Sequence, residues 1–160
     1  MIANFSQPEK SASPTKTRIF LVDDHAMFRE GLRQLIEREP DFIVSGDAAD
    51  VDEAVKTIGD SPPDLVITDI SLPGVSGLEL VKTLKSRHPE LPVLVVSMHE
   101  ETLDAERALR AGAMGYVMKQ EPAKTVKAAI RRVLVRRSCW LGDRCASGVS
   151  TEIANHSAPN

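Results

Sequence analysis

Long apolar runs are missing from this 160-residue sequence. No stretch approaches the roughly 20 residues that a membrane-spanning helix needs, and the polar N-terminus lacks the apolar core of a signal peptide. Strong positive charge is missing as well, since the formal net charge is -3. A segment of this charge offers no electrostatic footprint for nucleic acid or for an anionic membrane. These absences predict a cytoplasmic segment with no membrane partner, which could reach DNA only through a further domain.

Cysteine is scarce too. Cys139 and Cys145 are the only two, and no histidine stands at the spacing that would complete a zinc finger with them. We therefore interpret both as ordinary reduced thiols.

What is present is a regular alternation of short apolar runs with amphipathic stretches between Thr17 and Arg137. This alternation is typical of a parallel sheet whose strands are joined by crossover helices. We predict strands at 18–23, 42–46, 64–69, 92–97 and 115–118, and helices near 26–39, 50–59, 76–87, 101–111 and 122–137. Such a pattern indicates an α/β fold, a doubly wound five-stranded parallel sheet in the flavodoxin-like order 2-1-3-4-5 with five helices.

The two ends of the chain have a different composition. Residues 1–16 contain several serines and prolines and show no hydrophobic periodicity, which predicts a disordered leader. Residues 138–160 contain few apolar residues and are too short for an independent domain. We predict one domain over 17–137, with 138–160 forming a linker or stub toward an output domain that this sequence does not contain.

Three acids stand where predicted strands end. Asp69 follows the apolar run Leu65–Thr68, and Asp23 and Asp24 follow the run Ile19–Val22. In the predicted order the first and third strands are neighbours, so these side chains meet at the carboxyl edge of the sheet, where open α/β folds bind ligands. Carboxylates this close repel one another unless a cation joins them. The pattern points to a hard divalent metal and then to a phosphate.

Four motifs occur in order along the chain, each at the carboxyl end of its strand: Val22-Asp23-Asp24-His25, Asp69 before Leu72–Gly77, Val95-Val96-Ser97 and Gly115–Lys119. Together they resemble the receiver domain of bacterial two-component response regulators, most closely the NarL/FixJ family with its LuxR-type helix-turn-helix output. The resemblance covers residues 17–137. It implies a signalling phosphoacceptor rather than an enzyme, one that catalyses only its own phosphorylation and dephosphorylation.

By this resemblance Asp69 is the phosphoacceptor and carries an aspartyl phosphate. A carboxylate is a weak nucleophile toward a phosphoryl dianion, so the negative charge at the site must be neutralised. The resemblance implies that Mg²⁺ (or Mn²⁺) does this, bound directly by Asp24, by Asp69 and by the backbone carbonyl of Ile70, with Asp23 acting through a water.

The resemblance also implies roles for the residues around the acids. The Ser97 hydroxyl and the Lys119 ammonium would each stabilise a phosphoryl oxygen. Ser97 and Tyr116 would form the conformational switch. Three further residues would border the pocket and tune donor entry or water attack: Ser71, Met98 and His99.

Two features are left open. His25 could rest against the acid pair or simply start the next helix, and we favour the helix start. Gln120 stands where the family usually has a proline after the lysine. The isomer of the Lys119–Gln120 bond is therefore undecided, because a cis bond before a residue other than proline costs about 2.5 to 4 kcal/mol.

The implied partners follow the same resemblance. A sensor histidine kinase would dock over the Asp69 crevice, against the helix near 26–39. A phosphorylation-dependent homodimer would use the fourth and fifth helices, around 103–109 and 126–133, or the first and fifth. DNA would be bound only through an output domain.

Other classes fit less well. No recognition helix follows residue 137, so the sequence represents either the receiver part of a longer regulator, which we favour, or a stand-alone receiver acting in a phosphorelay or through protein contacts. Haloacid-dehalogenase-like phosphatases require an Asp two residues after the nucleophile, where this sequence has Ser71. Flavodoxin-like cofactor binders require a Gly-, Ser- or Thr-rich loop after the first strand, and the acidic run Asp23–Met27 occupies that place.

Overall fold

The computed structural model describes residues 15–98 and 102–141, and for residues 138–141 it describes the backbone alone. Strands and helices alternate throughout this part of the chain. The strands are β1 (Thr17–Val22), β2 (Phe42–Ala48), β3 (Leu65–Asp69), β4 (Val93–Ser97) and β5 (Gly115–Met118). The helices are α1 (Ala26–Glu37), α2 (Val51–Asp60), α3 (Gly77–Arg87), α4 (Thr102–Ala111) and α5 (Ala123–Leu141).

The strands form one parallel sheet in the order β2-β1-β3-β4-β5, which confirms the predicted fold. Strand β3 lies between β1 and β4, with Val22 beside Thr68 and Asp69 beside Val96. Ser97 at the end of β4 pairs with Met118 of β5. Because all strands run the same way, their carboxyl ends meet along a single edge of the sheet.

Apolar side chains on both faces of the sheet are covered by helices. In β1, Phe20 and Val22 pack with residues of α2, α3 and α4, whereas Ile19 and Leu21 pack with residues of α1 and α5. The sequence of a strand that is buried on both faces is a continuous apolar run rather than an alternation of apolar and polar residues. The central strands therefore form a rigid support for the side chains that follow them.

Several boundaries differ from the prediction for local reasons. Helix α1 ends at Glu37, two residues before the predicted end, because the residue before Pro40 is disfavoured in the helical region. Helix α5 continues to Leu141 rather than ending at 137, since neither Gly nor Pro interrupts the chain before Gly142. The predicted linker thus begins within the last turn of α5. Its remaining residues 142–160, and residues 1–14 of the predicted leader, lie outside the described part.

Helix length and composition also bear on membrane insertion. Across residues 15–98 and 102–141, no helix is both long enough and apolar enough to cross a bilayer.

Candidate functional site

Two buried acids and one exposed acid lie at the carboxyl edge of the sheet. Asp69 is the last residue of β3 and is 2% exposed, and Asp23 follows β1 and is 4% exposed. The side chain of Asp24 is 35% exposed. The backbone N–H of Asp23 donates to the Ala48 carbonyl at 3.1 Å, so β1 holds its pairing with β2 up to the site. The adjacency of β1 and β3 thus brings together the acids that the sequence places far apart.

His25 lies within this acidic cluster. Its Nδ1 is 3.1 Å from Asp23 Oδ1, 3.2 Å from Asp24 Oδ1 and 3.9 Å from Asp69 Oδ2. The ligand atoms of the four residues all lie within 4.8 Å of one another. His25 is also the N-cap residue of α1, although its side chain makes no capping hydrogen bond. Both interpretations of His25 therefore hold, and the contact with the acids is the one that we did not favour from sequence.

Lys119 supplies the positive charge of the site. Its Nζ is 2.7 Å from Asp23 Oδ2 and 2.9 Å from Asp69 Oδ2, and its side chain is 3% exposed. The ammonium also lies 4.4 Å from the centre of the Phe28 ring, close enough for a cation–π interaction. One buried cation therefore joins the two buried carboxylates, as charges inside a protein require.

The backbone after β3 approaches Asp69 closely. The Ser71 N–H donates to Asp69 Oδ1 at 3.2 Å. A Cβ atom at Gly77 would lie 1.9 Å from the Asp69 carbonyl oxygen, so only glycine fits there. This close approach places the start of α3 directly against the end of β3.

Ile70 is engaged by the same turn. Its carbonyl oxygen accepts the backbone N–H of Gly77 at 2.8 Å and that of Leu72 at 3.2 Å. The Ser76 hydroxyl lies 3.5 Å from the same oxygen, so its two lone pairs already face three donors. A metal at this oxygen would have to replace the Gly77 bond at the start of α3, so we do not carry Ile70 into the ligand set proposed below.

Ser97 and Tyr116 belong to β4 and β5, on the side of β3 that faces away from β1. Ser97 ends β4 and is 0% exposed. Its carbonyl accepts the Lys119 N–H at 2.7 Å, so the backbone at Ser97 and the backbone of Lys119 are directly joined. Tyr116 is half-buried and packs against the core cluster that includes Ala108 of α4. The two predicted switch residues are therefore on adjacent strands, one at the site and one toward α4.

The remaining predicted residues form the rim. Ser71 is exposed, and Met98 is 53% exposed. Gln120 Nε2 donates to the Met98 carbonyl at 3.4 Å, which links the loop after β4 to the loop after β5. The described peptide bonds are all trans, and these include Lys119–Gln120. His99 lies outside the described residues.

Two residues of α1 belong to the site and were missed from sequence. Phe28 covers Lys119, and the Arg29 guanidinium donates to the Asp23 carbonyl and lies near Asp47, its Nε 3.5 Å from Oδ2. The available signal was their position: both are in the first turn of a helix that begins directly after the acid pair. Arg29 thus ties the loop carrying Asp23 to α1.

Comparison with known proteins agrees with this arrangement. Residues 19–131 match the family described as the response regulator receiver domain. The chain is 41% identical over 113 residues to the nitrate/nitrite response regulator protein NarL of Escherichia coli K12, covering 69% of this chain and 51% of NarL. It is 34% identical over 124 residues to the transcriptional regulatory protein DegU of Brevibacillus brevis, covering 78% of this chain and 52% of DegU. The chain thus spans about half the length of these curated relatives.

Solved structures show the same likeness. A LuxR-family two-component response regulator from an Aurantimonas species superimposes with a TM-score of 0.74 at 38% identity, covering 77% of this chain and 88% of that one. A CheY-like receiver domain protein from Methanospirillum hungatei superimposes with a TM-score of 0.71 at 25% identity, covering 78% and 98%.

Proposed function

The chain belongs to the response regulator receiver family, and from this premise we propose that Asp69 accepts a phosphoryl group from a histidine kinase in the cytoplasm. The observation that carries the proposal is the pairing of Asp69, 2% exposed, with the ammonium of Lys119 at 2.9 Å. The buried surroundings hold the Asp69 carboxylate in one orientation, which favours its reaction with a bound donor. The paired ammonium offsets the free-energy cost of burying the negative charge.

The acidic cluster fits a divalent metal. Three carboxylates and one ammonium leave a formal charge of -2, which one divalent ion neutralises. Carboxylate oxygens are the ligands that Mg²⁺ and Mn²⁺ favour. We propose that Asp23, Asp24 and Asp69 hold Mg²⁺ (or Mn²⁺), which when bound neutralises charge on the incoming phosphoryl group.

In the proposed transfer a carboxylate oxygen of Asp69 attacks phosphorus as the phosphorus–nitrogen bond of the donor phosphohistidine breaks, and the electron pair of that bond stays on the imidazole. The Ser71 N–H at Oδ1 restricts rotation of the Asp69 carboxylate. Lys119 and the Ser97 hydroxyl would then each bind an equatorial phosphoryl oxygen, where charge is spread during the transfer. The protein is on this proposal a phosphoacceptor that assists its own phosphorylation and dephosphorylation.

Ser97 and Tyr116 form the proposed switch. Ser97 is joined to Lys119 through the carbonyl hydrogen bond of 2.7 Å, so movement of the Ser97 hydroxyl toward a phosphoryl oxygen would pull on the ends of both β4 and β5. Tyr116 on β5 packs against the cluster that includes Ala108 of α4. Phosphorylation would therefore alter the surface formed by α4 and β5, as charge-driven switches do through a bistable element.

Exposed apolar residues support the proposed partner surfaces. Met27, in the first turn of α1 beside the acids, is 90% exposed, which suits kinase docking over the site. Leu103 and Leu109 of α4 are 50% and 37% exposed, which favours the fourth and fifth helices as the homodimer surface. The names of the relatives NarL and DegU describe a response regulator and a transcriptional regulator. We propose that the full protein likewise controls transcription, through a DNA-binding domain that follows the receiver.

Phosphorylation of the chain by a small phosphodonor tests the proposal. With Mg²⁺ present, intact mass spectrometry should show the gain of one phosphoryl group in the wild type and none in Asp69→Ala. Asp60→Ala, at the exposed end of α2, is the matched control and should be phosphorylated like the wild type. A gain that persists in Asp69→Ala would refute the assignment. Size-exclusion chromatography before and after the reaction then tests for the dimer.

A further inference from the structure

The cluster around Asp69 contains a nitrogen donor as well as oxygens. We propose that His25 binds the metal ion of this site through Nδ1, so that the site favours first-row transition ions such as Mn²⁺ over Mg²⁺ more strongly than three carboxylates would. The inference rests on the proposed function, because it assigns a further ligand to the proposed metal site.

Distances from Nδ1 support direct binding. Neighbouring ligands on one octahedral ion, each about 2.1 Å from it, are about 3.0 Å apart, and opposite ligands are about 4.2 Å apart. Nδ1 is 3.1 Å from Asp23 Oδ1 and 3.2 Å from Asp24 Oδ1, close to the spacing of neighbouring ligands. Its distance of 3.9 Å from Asp69 Oδ2 is close to the spacing of opposite ligands. The side chains therefore need only small shifts to share one ion.

Lys119 and His25 approach different oxygens of Asp23. The ammonium contacts Oδ2 at 2.7 Å, whereas Nδ1 lies beside Oδ1. One carboxylate can thus keep its ion pair with Lys119 through Oδ2 and offer a metal the remaining lone pair of Oδ1, which also accepts the His25 backbone N–H at 2.8 Å. Lys119 Nζ is 3.5 Å from Nδ1, so the ammonium borders the proposed metal position without separating the imidazole from Asp23 and Asp24.

The chemistry of imidazole gives the preference. A neutral imidazole adds a ligand without adding charge, so the balance between the -2 cluster and a divalent ion is kept. Nδ1 binds through its lone pair while the proton stays on Nε2. Imidazole suits first-row transition ions, whereas Mg²⁺ prefers oxygen and keeps waters in its remaining positions. His25 should therefore strengthen Mn²⁺ binding more than Mg²⁺ binding.

His25 can be truncated without removing a helix cap, because its side chain makes no capping bond to α1. The test compares the whole chain as wild type, His25→Ala and His88→Ala. His88 is the matched control, since it lies at the end of α3, next to the loop that leads into β4 at the opposite edge of the sheet. Circular dichroism verifies that each variant is folded.

Electron spin echo envelope modulation of bound Mn²⁺ detects directly coordinated nitrogen. The wild type and His88→Ala should show imidazole nitrogen modulation, and His25→Ala should lose it. Replacing even an outer-shell partner of a metal site costs about tenfold or more in affinity. The Mn²⁺ dissociation constant should therefore rise by about tenfold or more in His25→Ala, and the ratio of Mg²⁺ to Mn²⁺ dissociation constants should fall.

Measuring metal binding and phosphorylation in parallel distinguishes failure of the inference from failure of the proposed function. Mn²⁺ that binds the wild type without nitrogen modulation, and with equal affinity in His25→Ala, would overturn the histidine ligand. Mg²⁺-dependent phosphorylation of the wild type, measured in parallel, would then still support the proposed function. Absence of Mn²⁺ binding together with absence of Mg²⁺-dependent phosphorylation would overturn both.

Discussion

Replacement of Lys119 by methionine removes the only ammonium that contacts the acids in the described part of the chain. The variant keeps an unbranched apolar stem of similar volume but leaves Asp23 and Asp69, 4% and 2% exposed, without their contacts of 2.7 and 2.9 Å. The formal charge of the cluster changes from -2 to -3. We therefore expect Lys119→Met to be strongly destabilised when no divalent cation is present.

The magnitude follows from the burial of the partners. Breaking a buried ion pair by removing one member costs about 3 to 5 kcal/mol. We expect the lower end, about 3 kcal/mol, because Asp24 is 35% exposed and admits water to one side of the cluster. With a urea m-value of about 2 kcal/mol/M, the unfolding midpoint should fall by about 1.5 M.

Urea unfolding with and without Mg²⁺, followed by circular dichroism, measures this effect. Lys124→Met, an exposed lysine in the first turn of α5, is the matched control and should stay within about 0.5 kcal/mol of the wild type. Mg²⁺ should stabilise Lys119→Met more than the wild type, because the more negative cluster binds the ion more tightly. Equal midpoints for the two variants in chelator, or equal stabilisation by Mg²⁺, would refute the reasoning.

Three further predictions concern the surrounding structure. Gly77→Ala should destabilise the fold by about 1 to 3 kcal/mol in thermal unfolding, since its Cβ would meet the Asp69 carbonyl oxygen at 1.9 Å. Gly31→Ala, which has open space at its Cβ, is the control and should stabilise α1. Equal changes in the stability of the two variants would contradict the predicted clash at Gly77. Hydrogen bonds from Lys127 and then from Arg131 lower the pKa of Glu39, and the hydrogen bond from Arg131 lowers the pKa of Asp41. These contributions to stability are present above the unfolded pKa values near 4.5 and 3.8 and are lost as pH falls. Arg131→Ala should therefore make the free energy of unfolding depend less on pH between about pH 5 and 3, and an unchanged slope would oppose the assignment. Ser97→Ala should still be phosphorylated but lose phosphorylation-dependent dimerisation, and a normal size-exclusion shift would exclude its role in the switch.

The elements of the fold could be predicted because each depends on local pattern. Continuous apolar runs predicted the central strands, and amphipathic stretches between them predicted the helices. Errors arose at the boundaries, where single residues decide. Pro40 ended α1 before its predicted end, and the lack of Gly or Pro after Pro122 let α5 continue to Leu141. Hydrophobic periodicity, from which the helices were predicted, does not register the effect of such single residues.

Parts of the candidate site could be predicted for a different reason. Asp23, Asp69 and Lys119 directly follow or end strands, so the parallel order alone brings them to one edge. The contacts of His25 and Phe28 depend on how the first turn of α1 is oriented over that edge. Helical periodicity does not contain this angle, because it results from the packing of α1 against β1 and β2.

The amino-acid sequence by itself determined the alternation of strands and helices, the strand-end positions of the acids, and the family to which the chain belongs. Only the tertiary structure decided which oxygen of Asp23 faces Lys119 and which faces His25, and that the Ile70 carbonyl is occupied by the turn into α3. The physical reason is one of range. Strand and helix preferences arise between residues a few positions apart, whereas the groups of the site come from loops as distant in the chain as those of Asp23 and Lys119 and are placed only when the helices pack.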